Sequence, residues 1–188
     1  HNKTIACGSL KKIFQYFSCS CYGTNHVVDP SGTPINYPNK NTPLHVALEK
    51  GRKEIANRLI DEGADINVRN KDGKTPLHAA LYGGCKEIAN RLIDEGVEIN
   101  VRNKDGRTSL HMALYGGCEQ IANRLIDLGA NINDPEINGN TPLHMALYGG
   151  CKEIANSLID EGVEINVMNK NGRTPLHAAL EKGCREIA

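Results

Sequence analysis

The sequence predicts an all-α solenoid of stacked helix-turn-helix units, on three observations. The tetrapeptide Thr-Pro-Leu-His occurs at Thr42–His45, Thr75–His78, Thr141–His144 and Thr174–His177, with a Ser-for-Pro copy at Thr108–His111, each 33 residues after the last. A fixed period of this size marks a repeat architecture. Apolar residues within each unit recur at helical spacing, and Gly pairs or single Gly residues close each run. Trp is absent and Phe occurs twice in the 188 residues, so no large aromatic core can form. A repeat array needs none, because each unit buries its apolar face on its neighbours.

Residues 72–104 illustrate one unit. Asp72-Gly73 is a turn signal. Thr75 is placed to cap a helix N-terminus, with Pro76 at the first helical position, where its missing N–H costs nothing. The first helix runs through Leu77, Ala80 and Leu81 to Gly83-Gly84. The second begins near Lys86 and turns Ile88, Ala89, Leu92 and Ile93 inward, with Ala80 and Ala89 letting the helices approach closely. Glu87 and Arg91, four residues apart on the outer side, form an expected ion pair. Gly96 ends the helix.

Gly-x-Thr-Pro-Leu-His-x-Ala, Glu-Ile in the second helix, Gly-Ala-Asp-Ile-Asn at its end and the 33-residue length together resemble the ankyrin repeat. The resemblance implies an ankyrin-repeat solenoid in which Val97 to Lys104 forms one side of a projecting β-hairpin finger. On this register the units are 39–71, 72–104, 105–137, 138–170 and a partial 171–188. The last stops midway through its second helix at Ala188, so the natural protein is expected to continue.

Residues 1–38 form a divergent leader. Leu10, Ile13, Phe14 and Phe17 make an apolar stripe behind a candidate cap, Ser9, and Cys19 to Pro38 reads as loop. The expectation is a degenerate first unit that covers the apolar end of the stack. Cys19-x-Cys21 invites a metal reading, yet a structural zinc site needs four ligands and only Cys7 and His26 lie nearby. These cysteines are read as ordinary small apolar residues, and no metal or other cofactor is expected.

The formal net charge is zero, which argues against bulk attraction to nucleic acid or acidic membrane. No apolar run has the length of a membrane span. Cys85, Cys118, Cys151 and Cys184 recur once per unit. Packed helices lie about 8–10 Å apart, whereas a disulfide needs Cα atoms roughly 4.4–6.8 Å apart. Buried, reduced, structural thiols in an intracellular compartment are therefore expected.

His45, His78, His111, His144 and His177 recur with the tetrapeptide. Neighbours one helix spacing apart do not converge on a metal, so each imidazole is expected to bond backbone and shape its loop. Phosphate loops, nucleophile elbows and His-Glu-x-x-His pairs are absent. Asp61-Glu62 and Asp94-Glu95 recur as a solvated face. The expectation is a monomeric, non-enzymatic chain.

Where units differ, recognition is the natural use. Four residues after each histidine stand Glu49, Tyr82, Tyr115, Tyr148 and Glu181. The resemblance places them on a concave, partner-contacting side, together with the turn residues Lys74, Arg107, Asn140 and Arg173. Tyr gives large contact area at low entropic cost. The competing role is that these rings cover aliphatic surface within the stack. In the third unit Val-Arg-Asn-Lys becomes Asp134-Pro135-Glu136-Ile137, so its finger should be locally distinct.

The implied function is binding of a protein partner through first helices and hairpin tips. The alternative is a targeting or substrate-recruiting part of a larger enzyme, or of a secreted effector acting in a host cytosol. A third reading, a metal- or redox-responsive protein using Cys19, Cys21 and the cysteine ladder, is weaker.

Overall fold

The computed structural model describes residues 41–181. The capping helix expected within residues 1–38, with Cys7, Cys19, Cys21 and His26, lies outside the described residues, as does Cys184. Among the described residues there are nine α-helices: α1 Pro43–Glu49, α2 Lys53–Asp61, α3 Pro76–Tyr82, α4 Lys86–Asp94, α5 Ser109–Tyr115, α6 Glu119–Asp127, α7 Pro142–Gly149, α8 Lys152–Asp160 and α9 Pro175–Glu181. Helices of seven to nine residues are marginal alone in water and depend on packing.

Odd-numbered helices stack on one another in one layer, and α2, α4, α6 and α8 stack in a second. The core lies between the layers. Leu44, Leu77, Leu110 and Leu143 enter it from the first turn of each inner helix, and Leu92, Leu125 and Leu158 meet them from the outer layer. Each such leucine contributes on the order of 1.5–3 kcal/mol by leaving water. Ala80 and Ala89 are fully buried, in keeping with close helix approach.

The helix starts carry a capping device richer than a threonine hydroxyl. His78 N–H lies against Thr75 Oγ1 at 3.5 Å, while the Thr75 hydroxyl and N–H reach His78 Nδ1 at 2.8 and 3.3 Å. Nδ1 is then the acceptor, which leaves the proton on Nε2, and Nε2 donates to the Arg107 carbonyl of the next unit at 3.0 Å. The same cross-unit bond joins His45 to Lys74 at 2.9 Å and His144 to Arg173 at 3.0 Å. Each of these three imidazoles thus fixes its own helix start and ties one unit to the next.

One expectation is corrected and a second is not shown. Glu87 does not pair with Arg91: Lys53 takes Glu87 at 2.8 Å, and Arg91 reaches Asp61 at 2.6 Å and Glu95 at 2.9 Å. Stacking brings acids of the preceding unit within reach, and these compete with the partner on the same helix. The β-hairpin fingers are not shown, since no strand forms among the described residues. Each finger is a tight turn closed by bonds such as Asn70 N–H to Lys74 O at 3.0 Å. Fingers stack through single bonds such as Lys104 N–H to Asp72 O at 2.8 Å, too few for a ladder.

Candidate functional site

The residues singled out by sequence, together with Asn41, which the sequence reading did not name, fall into pairs of a turn residue and the residue eight further on at the end of the inner helix. Three pairs meet. Asn41 Nδ2 donates to Glu49 Oε2 at 3.4 Å, Lys74 Nζ lies 5.2 Å from the Tyr82 ring centre, and Arg173 forms an ion pair with Glu181. A lysine above a tyrosine face is held by the ring quadrupole, worth about 0.5–1 kcal/mol at an exposed site.

The other two turn residues are drawn elsewhere. Arg107 Nε sits 3.8 Å from Glu136 Oε2, an ion-pairing distance too long for a hydrogen bond. Asn140 Nδ2 donates to Glu136 Oε1 at 2.7 Å. No tyrosine contact accompanies Arg107 or Asn140 among these interactions.

The three tyrosines are not equivalent. Tyr82 and Tyr115 are 68% and 63% exposed, whereas Tyr148 is half-buried and packs against the hydrophobic core. Packing within the stack is therefore the arrangement of Tyr148, while Tyr82 and Tyr115 stay open to solvent. Lys74, Arg107, Asn140, Arg173 and Glu49 are half-buried, and Glu181 is exposed.

Glu136 is the residue whose importance the sequence reading passed over. It occupies the register position of Asn70, Asn103 and Asn169. Asn70 Oδ1 accepts from the N–H groups of Asp72 and Lys74, both at 2.9 Å, and so closes its turn. Glu136 Oε1 does the same for Asn138 at 3.0 Å and Asn140 at 3.3 Å. Its side chain is fully buried, and a buried carboxylate requires such donors and a nearby cation. The signal was available as an acid standing where the register calls for asparagine.

Burial lowers the pKa of His45, His78, His111 and His144, with His78 and His111 brought to about 4. These rings are neutral at physiological pH and serve as hydrogen-bonding struts. His111 differs: its Nε2 is buried without a hydrogen bond of ordinary geometry, and the Asp134 backbone acts on it only as a weaker acceptor. The thiols Cys85, Cys118 and Cys151 are free and buried, and burial pushes Cys151 up to about 11. A raised pKa disfavours the thiolate and with it nucleophilic chemistry.

Among the described residues no group of three or more His, Cys, Asp or Glu side chains is placed to hold a metal. No helix there is long and apolar enough to cross a membrane. A family model described as Ankyrin repeats (3 copies) matches the chain over residues 5–103, 44–136, 90–169 and 133–188. No curated protein matches the chain.

Proposed function

Because this chain belongs to the ankyrin-repeat family, whose repeats are generally protein–protein interaction modules and typically not enzymes, we propose that it binds a protein partner through its inner-helix and finger-turn face. The observation that carries this reading is the pair of large, exposed rings of Tyr82 and Tyr115 at the ends of rigid helices. Rings held this way give contact area at little entropic cost. Lys74, Arg107, Asn140 and Arg173, with Glu49 and Glu181 at the two ends, form the polar surround. Tyr148 supports the stack beneath that face.

We take the repeats as 39–71, 72–104, 105–137, 138–170 and a partial 171–188, behind an N-terminal capping segment of 1–38. The protein acts as a monomer in a reducing compartment, where buried free thiols persist, and without nucleic acid. A recruiting role within a longer enzyme or host-directed effector would use the same face.

The test is affinity capture with the wild-type chain and with Tyr82→Ala/Tyr115→Ala. A protein retained by the wild type and lost by the double variant, with an unchanged melting temperature, supports the reading. Equal retention by both chains overturns it.

A further inference from the structure

The junctions between successive inner helices are not alike, although the sequence at each is nearly the same. Where α3 meets α1, Gly83 comes so close to the Leu48 carbonyl that a Cβ there would collide with it. Gly149 of α7 stands in the same relation to the Leu114 carbonyl of α5. A thiol closes each contact, Cys85 Sγ to Leu48 O at 3.5 Å and Cys151 Sγ to Leu114 O at 3.3 Å.

The α3–α5 junction has neither feature. A Cβ on Gly116 would find only atoms of its own unit, the nearest being Met112 O at 3.2 Å. Cys118 Sγ reaches only Gly116 O, two residues away, at 3.7 Å. Leu81 and Cys118, the residues facing this gap, are each 8% exposed, whereas Leu48, Leu114, Cys85 and Cys151 are at 1% or less. Gly83 and Gly116 share a φ of −80°, so the difference lies in packing and not in backbone conformation.

Elsewhere the same junction is firmly held. His78 bonds the Arg107 carbonyl at 3.0 Å, Arg69 Nη2 bonds the Arg102 carbonyl at 2.7 Å, and Arg124 takes Asp94 at 2.5 Å in the outer layer. Bonds hold at the helix starts, fingers and outer helices, while the glycine–carbonyl and thiol–carbonyl contacts are missing at the inner-helix ends, and this pattern describes a pivot. In a stack whose stability is a sum over neighbouring units, motion concentrates at the weakest interface.

We propose that the solenoid hinges at the α3–α5 junction, the inner-helix ends parting between Tyr82 and Tyr115 while the His78–Arg107 and Arg124–Asp94 contacts hold. The hinge goes beyond the binding reading and stands without it. It sets the separation of the Tyr82 and Tyr115 rings, both exposed.

The test uses the full chain and three substitutions, Gly83→Ala, Gly116→Ala and Gly149→Ala, with native-state thiol labelling read site by site by mass spectrometry. Gly83→Ala and Gly149→Ala should each lower the melting temperature by roughly 5 °C or more, and Gly116→Ala by less than about 2 °C. In the wild type, Cys118 should be labelled several-fold faster than Cys85 and Cys151. In Gly149→Ala, if it folds, Cys151 should rise towards the Cys118 rate. The hinge is overturned if Gly116→Ala destabilises as much as the other two, or if wild-type Cys118 labels no faster than Cys85 and Cys151.

Discussion

Glu136 and Asn140 are joined at 2.7 Å, carboxylate to side-chain amide, in the one described finger where a glutamate replaces the asparagine of the repeat. The carboxylate also holds Asn138 through its N–H at 3.0 Å and its Nδ2 at 3.2 Å, and keeps Arg107 within ion-pairing reach. One buried acid thus orders a turn and two of the residues proposed to face a partner. Glu136→Ala strands those donors and should cost about 2–3 kcal/mol in urea denaturation. Glu136→Asn restores the residue of the other fingers and should cost less than about 1 kcal/mol. Equal losses would show that the turn cap is not what Glu136 contributes.

Ser109 is the third unit's departure from proline. Its hydroxyl is buried and has no hydrogen-bond partner. Ser109→Pro removes that group and pre-sets the backbone as Pro43, Pro76, Pro142 and Pro175 do. It should stabilise by roughly 0.5–1 kcal/mol, seen as a melting temperature higher by about 2–4 °C. An unchanged or lower melting temperature counts against this account.

In the outer layer, Arg91 and Arg124 each clasp an aspartate of the preceding unit, Asp61 and Asp94. Thirty residues beyond Asp127 the register brings Ser157 instead, whose hydroxyl bonds Glu153 O at 3.0 Å. Ser157→Arg should extend the ladder to Asp127 for a gain of about 0.3–1 kcal/mol. The gain should fade in about 1 M salt, where exposed charges are screened within roughly 3 Å. A gain that persists at high salt would point to packing by the arginine stem.

The buried histidines make stability depend on pH. His78 and His111, lowered from 6.5 to about 4 by burial, bind a proton more weakly folded than unfolded. The unfolded chain therefore takes up more protons between those values, and stability rises as pH rises there. The contribution is complete above the unfolded value of 6.5 and is lost as pH drops towards 4. It amounts to at most about 3 kcal/mol per histidine. Thermal melts between about pH 7.5 and 4.5 should show a continuous decline across this window, and a flat profile would contradict it.

Much of the molecule was legible in its residues. Thr75, Pro76 and Gly83-Gly84 mark the start and stop of α3 by local chemistry, and Leu77, Leu92 and Ala89 mark the core by spacing. The histidines were readable as loop struts because a buried imidazole needs partners and neighbours one helix apart supply backbone. The face proposed to meet a partner was singled out because Tyr82 and Tyr115 stand where the fixed frame varies.

What only the tertiary structure decided is the set of partners across units. Arg91 could have paired with Glu87 on its own helix, but stacking offered Asp61, and a local rule cannot rank a residue 30 positions away. Tyr82, Tyr115 and Tyr148 sit in almost the same local sequence, yet two are exposed and one packs against the core. Gly83 and Gly116 share a register and a backbone angle, yet only Gly83 presses on the preceding helix. Repeated sequence determines the unit, because caps, turns and apolar spacing act within it. The fit between units is decided by how whole helices seat on one another, and carbonyl contacts, thiols and ring exposure follow from that seating.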